Sequence, residues 1–266
     1  MVEYLVSCTE LFVRAGFKFG NSGPHISRTM MLDEISRCLD VLPPEASRAD
    51  YRTAIVDQNI LGKRTEATCK ESFRRLRELY ALEPTVPLFN VYRRLDTADS
   101  TGRPLLSLLL ACARDPLLRS TMPVILGARE GESLSAEHFN EALEKEFSGH
   151  LKEKIREATA RHIASTWEQS GHLAGRATKT RSRIIARPVA IVMALILGTL
   201  QDIHGAFLFE TAWCKVLDLN SVQARALAAQ AHREGLLDLR TVGDIVEITF
   251  PRFADAMDKE GVHGSL

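Results

Sequence analysis

The chain has 266 residues, of which 45% are hydrophobic and 26% are charged, so it can bury a substantial core in one large domain or two smaller ones. Its 34 basic and 34 acidic residues give a formal net charge of zero, which argues against a polybasic tail protein but allows a local basic face. The widely spaced cysteines form no CxxC pair, which argues against a disulfide framework or a structural zinc site and favours a reducing compartment. These cysteines are Cys8, Cys38, Cys69, Cys112 and Cys214.

Residues 1–25 give no clear secondary-structure signal. Turn-forming residues fill the stretch GFKFGNSGPH at 16–25, which is typical of a loop. The apolar stretch before it lacks the basic segment that precedes the core of a secretory signal. We therefore treat residues 1–25 as an N-terminal extension and begin the first domain at residue 26.

The first region with helical patterning predicts a helix-turn-helix-like segment. Apolar residues at helical spacing run up to a Pro-Pro pair at 43–44, which ends the first helix. A second helix follows over 47–61, and Gly62 occupies the position of a C-cap glycine. Either Thr65 or Thr68 can cap the next helix through its hydroxyl.

This next helix carries the first basic cluster. Its apolar face contains Phe73, Leu76 and Tyr80, so its basic residues lie on other faces. One hypothesis is that the cluster contacts phosphates, helped by the free N–H groups at the helix N-terminus. The alternative is a solvated face neutralised by Glu66, Glu71 and Glu78 at helical spacing. The cluster comprises Lys63, Arg64, Lys70, Arg74, Arg75 and Arg77.

The middle of the chain also reads as helical. Leucine-rich segments interrupted by prolines occupy residues 87–126, and one or two long amphipathic helices occupy residues 135–171. The longest apolar run, Val189 to Leu200, has twelve residues, whereas a bilayer-spanning helix needs roughly 20. It therefore predicts a buried helix. We place a domain boundary near residue 130, between domains at 26–130 and 131–266.

A second basic cluster lies just before this buried helix. The stretch RATKTRSRIIAR at 176–187 contains no acidic residue, and threonine and serine residues alternate with its cations as further phosphate donors. The hypothesis is phosphate contact, and the alternative is a solvated loop or a surface for a partner protein. The cluster comprises Arg176, Lys179, Arg181, Arg183 and Arg187.

The C-terminal region predicts a winged helix-turn-helix. A short helix over 210–219 precedes an alanine-rich helix capped by Asn220 or Ser221 and ended by Gly235. Two segments of alternating polarity then form a hairpin, with its turn at 243–244. The predicted fold class is mainly α, a multi-helix protein with helix-turn-helix-like segments and a small β-hairpin wing near the C-terminus.

The alanine-rich helix has a polar face that suits DNA. Gln223, Ala226, Gln230 and Arg233 fall on one side, and glutamine and arginine are residue types that reach base edges in the major groove. The competing interpretation is a protein-docking or purely structural module, since the wing is not basic. Its charged residues are Asp238, Arg240, Asp244 and Glu247.

Sequence motifs for catalysis are absent. The chain has no phosphate-binding loop, no dinucleotide fingerprint, no HExxH pair and no GxSxG elbow, and its eight histidines are scattered. We therefore expect no metal, no cofactor and no enzymatic activity. A hydrolase, nuclease or nucleotide-binding site assembled from distant residues is left open by the sequence.

The order of these segments resembles the BrxA family of bacterial BREX phage-defence systems. The stretches that carry the resemblance are NILGKRTEATCKESFRRLRELY at 59–80, PLLSLLLACARDPLLRSTMPVIL at 104–126, TWEQSGHLAGRATKTRSR at 166–183 and the segment from Leu208 to Arg252. Together they cover most of residues 27–253, whereas residues 1–25 match nothing in the family.

The resemblance implies a small helical DNA-binding accessory protein without enzymatic activity, acting in the cytoplasm beside other BREX components. It transfers no base-recognition residue to this chain. Our leading hypothesis is binding of double-stranded DNA, mainly through phosphates and with little sequence preference. The alternative is an adaptor whose winged domain docks another BREX protein.

Overall fold

A computed structural model of the chain describes residues 12–175, 178–243 and 245–257. The mainly α fold with a small β-hairpin near the C-terminus, expected from the sequence, is confirmed. Cysteines 38, 69, 112 and 214 are buried, as expected for small apolar side chains. Within the described ranges, no helix combines the length and apolar character that crossing a membrane requires.

The chain forms two compact units, each built from segments that are separate in sequence. This division differs from the single boundary near residue 130 that the sequence suggested, because packing joins segments that linear patterning cannot connect. Helix Arg103–Arg114 contributes its first part to one unit and its second part to the other. Unit 1 contains the described residues of 1–17, 85–109 and 185–266, and unit 2 contains those of 18–84 and 110–184.

Unit 1 is organised around one buried helix, α10 (Pro188–Leu200). Every residue from Pro188 to Gly198 is buried, which confirms the predicted core helix. Helix α10 packs against α4 (Pro87–Ala98), α11 (Ala212–Lys215) and α12 (Ser221–Arg233). The other elements of unit 1 are α4 (Pro87–Ala98), the first part of α5 (Arg103–Arg114), α11 (Ala212–Lys215), α12 (Ser221–Arg233), β4 (Asp238–Val242), β5 (Ile245–Thr249) and α13 (Ala254–Met257).

Unit 2 is a bundle of helices with a small sheet. Helix α2 (Arg48–Arg52) continues into a π-helical turn over Thr53–Asp57, and α8 (Ala136–Glu146) and α9 (Glu153–Gln169) pack against each other. Its elements are α1 (Leu32–Val41), α2 (Arg48–Arg52), α3 (Glu66–Tyr80), the second part of α5, α6 (Pro116–Arg119), α7 (Met122–Gly127), β1 (Ser133–Leu134), α8 (Ala136–Glu146), α9 (Glu153–Gln169), β2 (Leu173–Ala174) and β3 (Lys179–Arg181).

The sheet of unit 2 was not predicted from the sequence. Strand β3 lies in the centre and pairs antiparallel with β1 and β2, with Ser133 opposite Thr180 and Leu173 opposite Arg181. These strands have only two or three residues, so no period-two pattern can develop within them. The pairing of β1 with β3 joins segments that are far apart in the chain, whereas β2 lies just before β3.

The described part of the N-terminal segment belongs to the fold. Lys18 donates from Nζ to the carbonyl of Glu78 at 2.7 Å, and its backbone N–H donates to the carbonyl of Ala113 at 3.1 Å. His25 is fully buried. Residues 18–25 are therefore an integral part of unit 2 rather than an extension, and residues 1–11 lie outside the described part of the chain.

Candidate nucleic-acid interface

Unit 1 ends in a helix-turn-helix followed by a hairpin. Asn220 caps α12: its side chain accepts the N–H of Gln223 at 2.9 Å, and the Gln223 side chain accepts the N–H of Asn220 at 3.1 Å. This reciprocal pair satisfies two N–H groups that have no partner within the helix. Gly235 ends the helix with a φ of 69°, in the left-handed region that favours glycine. The predicted start and end of this helix are confirmed.

Helix α12 buries one face and exposes the other. Ala224, Ala228 and Ala231 are fully buried in the core of unit 1. The opposite side is exposed and carries the residues that helical spacing grouped together, namely Gln223, Ala226, Gln230 and Arg233. Gln230 donates from Nε2 to Glu234 at 2.9 Å, an exposed local bond that another polar group can replace. The predicted polar face of α12 is therefore accessible.

Two further residues of this surface were missed by the sequence analysis. Val222 is 75% exposed although it is apolar, and it precedes Gln223 in the first turn of α12. The guanidinium carbon of Arg225 lies 5.4 Å from the centroid of the buried Phe209 ring, which orients this cation by a cation–π contact. Val222 precedes Ala226 by one helical turn, so the sequence could have identified it as an apolar residue on the polar face of α12.

The hairpin differs from a basic wing. Arg240 lies directly opposite Glu247 across the two strands, so charges of opposite sign face each other. Val242 pairs with Ile245 next to the turn, and these side chains are 76% and 74% exposed. An exposed apolar pair therefore lies beside the turn of the wing. Asp244 lies outside the described residues.

The first basic cluster is largely paired with acidic residues. Lys63 contacts Glu34 at 2.8 Å, and Lys70 contacts Glu66 at 2.6 Å. Arg74 and Arg75 each form ion pairs with both Glu71 and Glu78, at helical spacings of three and four. The structure thus contains the paired face that the sequence left as the alternative.

The electrostatics of α3 agree with this pairing. Hydrogen bonds from Arg74, outweighing the opposing effect of burial, lower the pKa of Glu71 from 4.5 to about 2. The same contact raises the pKa of Arg74. Two cations of the cluster, Arg64 and Arg77, are exposed and form no ion pair with another described residue. A phosphate at most other positions of the cluster would have to displace a carboxylate.

In the second basic cluster, Arg181 is a structural residue. Its side chain is only 7% exposed, and its Nε donates to the carbonyl of Ile125 at 3.4 Å. It also donates to the carbonyl of Ser182. Lys179, beside it in β3, is half-buried and forms an ion pair with Glu168. The expectation that Arg181 contacts DNA is therefore wrong, because its guanidinium faces backbone carbonyls inside unit 2.

The rest of this cluster is divided between the two units. Arg187 belongs to unit 1 and contacts Asp99 at 2.9 Å, which contributes to lowering the pKa of that carboxyl against the opposing effect of burial. Arg183 belongs to unit 2, is exposed and has no ion pair among the described residues. Arg176 lies outside the described part of the chain. Lys179 and Arg187 are thus paired with carboxylates from outside the acid-free stretch, whereas Arg183 is exposed.

Unit 2 contains a buried trio that sequence spacing could not reveal. Nδ1 of His25 donates to Asp115 at 2.8 Å, and Nε2 of His25 lies 2.8 Å from Oγ1 of Thr166. Burial alone would raise the pKa of Asp115, but the charge and hydrogen bonds of His25 hold it below its usual range. The order hydroxyl, imidazole, carboxylate is that of a nucleophilic triad.

This trio is nevertheless closed to substrates. All three side chains are fully buried, and Oγ1 of Thr166 accepts the N–H of Met30 at 2.9 Å. We interpret it as a structural network that anchors residues 24–26 to α9. Among the residues that the structure describes, no group of three or more His, Cys, Asp or Glu side chains is arranged to hold a metal ion.

Comparison with known proteins adds no relative. No protein-family model and no curated protein matches this chain. The interface is therefore defined by the geometry of α12 and its surroundings alone.

Proposed function

We propose that this protein is a non-enzymatic, cytoplasmic DNA-binding accessory protein of a BREX anti-phage system, and that α12 enters the major groove of duplex DNA. The BREX assignment depends on the sequence resemblance. The DNA-binding proposal is supported by the exposed face of α12, which is held on the core through Ala224, Ala228 and Ala231.

The composition of this face suits close approach to DNA. Small side chains at Ser221 and Ala226 let the helix backbone come near the groove floor, and the N-terminal turns of such a helix are the ones that meet base edges. Arg225 and Arg233 lie on the exposed sides of the helix and are placed to contact flanking phosphates. Phosphate contacts of this kind supply much of the affinity.

The test is binding of the purified protein to fluorescent duplex DNA across a salt series, with a single-stranded control. We expect preferential binding to the duplex and an affinity that falls as the salt concentration rises. In a plot of log affinity against log salt concentration, each phosphate contacted should make the slope steeper by about 0.9. Absence of duplex binding at low salt would reject the proposal.

A second candidate function is a protein-interaction adaptor, and the exposed apolar pair beside the turn of the wing favours it. Val242 and Ile245 are both largely exposed and lie next to each other across the hairpin. Paired exposed apolar residues are typical of protein-contact surfaces. Co-purification of a stoichiometric complex with another BREX component, from a protein that shows no DNA affinity, would select this function.

A further inference from the structure

The exposed side of α12 forms a straight stripe whose members differ in chemistry. Val222, Ala226, Ala229 and Arg233 follow one another at spacings of four, three and four, so they line one side of the helix. The two alanines are small, and Arg233 ends the stripe with a cation. Val222 begins it with an apolar side chain that packs on almost nothing within the chain, being 75% exposed.

Val222 can match only one kind of group on a major-groove base edge. It has no hydrogen-bond donor or acceptor in its side chain, so pressing it against a polar base edge would leave that edge without its water partners. The only apolar group that bases present in the major groove is the C5-methyl of thymine, and a methylated cytosine carries the same group at the same place.

We propose that Val222 is a specificity-determining residue that contacts the C5-methyl group of a pyrimidine, so that α12 prefers methyl-bearing sites. This inference rests on the proposed function, since it assumes that α12 lies in the major groove. It departs from the expectation of binding with little sequence preference. The neighbouring Gln223 keeps its Nε2 amide group available, because the contact with the cap uses its Oε1 atom.

The experiment compares short A·T-containing duplexes with duplexes in which every thymine is replaced by uracil, which removes only the C5-methyl. We expect the wild-type protein to bind the thymine duplex more tightly by about fourfold for each methyl contact. V222A should lose most of this preference, because the shorter alanine side chain makes less contact with the methyl group, and it should fold normally because Val222 is 75% exposed. A parallel pair of G·C duplexes with cytosine or 5-methylcytosine distinguishes thymine alone from any C5-methyl pyrimidine.

The hairpin offers a matched control, since V242A removes an equally exposed valine outside α12 and should keep the preference for thymine. Equal binding of the wild type to the thymine and uracil duplexes would overturn the inference and leave the proposed function intact. If V222A keeps the full preference for the thymine duplex over the uracil duplex, the inference is also overturned. Failure of the wild type to bind any duplex would reject both proposals.

Discussion

The charge-rich helix α3 and the alanine-rich helix α12 lead to opposite conclusions about which segment would meet DNA. Helix α3 has several cations in its sequence, but its arginines at 74 and 75 form ion pairs with Glu71 and Glu78. Helix α12 has fewer cations, but its exposed side is lined by small and polar residues. A count of basic residues is therefore a poor guide to an interface when acids lie three and four positions away.

Helices α3 and α12 also differ in the existing contacts that DNA binding would displace. Phosphates at α3 would displace carboxylates from existing pairs, and exposed pairs of this kind contribute roughly 0 to 1 kcal/mol each. Binding at α12 would displace water and one exposed bond between Gln230 and Glu234. The comparison thus predicts that substitutions on α12 weaken binding and that substitutions on α3 do not.

The largest expected effect comes from placing one carboxylate on each helix in turn. Ala226 on α12 and Ala67 on α3 are both exposed, and glutamate suits a helix, so each variant should fold. We expect A226E to weaken duplex binding by about tenfold or more, because a negative charge then faces the phosphates. A67E should change the affinity by less than about twofold.

Fluorescence anisotropy with duplex DNA measures both variants, and thermal melting checks that they fold. A loss of affinity in A67E alone would indicate that DNA binds at α3 instead of α12. Equal losses in both variants would mean that both helices meet DNA.

Features that depend on neighbours in sequence could be predicted. Asn220, Gln223 and Gly235 define the ends of α12 because capping involves residues within about four positions of the helix end. The buried helix α10 was recognisable because an uninterrupted apolar run needs a core around it. The alternating polarity that predicted the hairpin likewise involves residues close in sequence, and Val246 and Phe250 are buried.

Features that depend on distant partners could not be predicted. Arg181 belongs to a stretch without acids, yet its side chain reaches the carbonyl of Ile125, 56 positions away. Arg187 meets Asp99 across 88 positions of sequence. A basic stretch looks unpaired in sequence whenever its partners come from elsewhere in the fold, which is why this cluster was over-interpreted.

The next expected effect concerns the caps with which the two helices begin. Asn220 caps α12, and Thr65 caps α3 by accepting the N–H of Thr68 at 3.2 Å. N220A and T65A should each destabilise their own helix by about 1 kcal/mol. Only N220A should also weaken duplex binding, because only α12 carries the proposed interface. Hydrogen exchange at the amides of each helix measures the first effect, and anisotropy measures the second. Weaker binding by T65A alone would contradict the comparison.

The smallest expected effect tests whether the acids of α3 keep its cations from DNA. The double variant E71Q/E78Q leaves Arg74 and Arg75 without their carboxylate partners, and we expect duplex affinity at low salt to rise by about threefold with a steeper salt dependence. The matched control is E141Q/E146Q, which changes the net charge equally through exposed residues of α8. The same gain in both variants would attribute the effect to net charge and not to the released cations.

The pH dependence of this effect follows from the lowered pKa of Glu71. A carboxylate whose folded pKa is about 2 instead of 4.5 contributes stability that is present above about pH 4.5 and is lost only as the pH falls through about 2. The ion pairs on α3 therefore persist between about pH 5 and about pH 8, and the gain of E71Q/E78Q should be constant across that range. An NMR titration of the Glu71 carboxyl carbon checks the premise directly. A titration midpoint near the ordinary glutamate pKa would mean that Glu71 is unpaired in solution. The cations of α3 would then be available to phosphates.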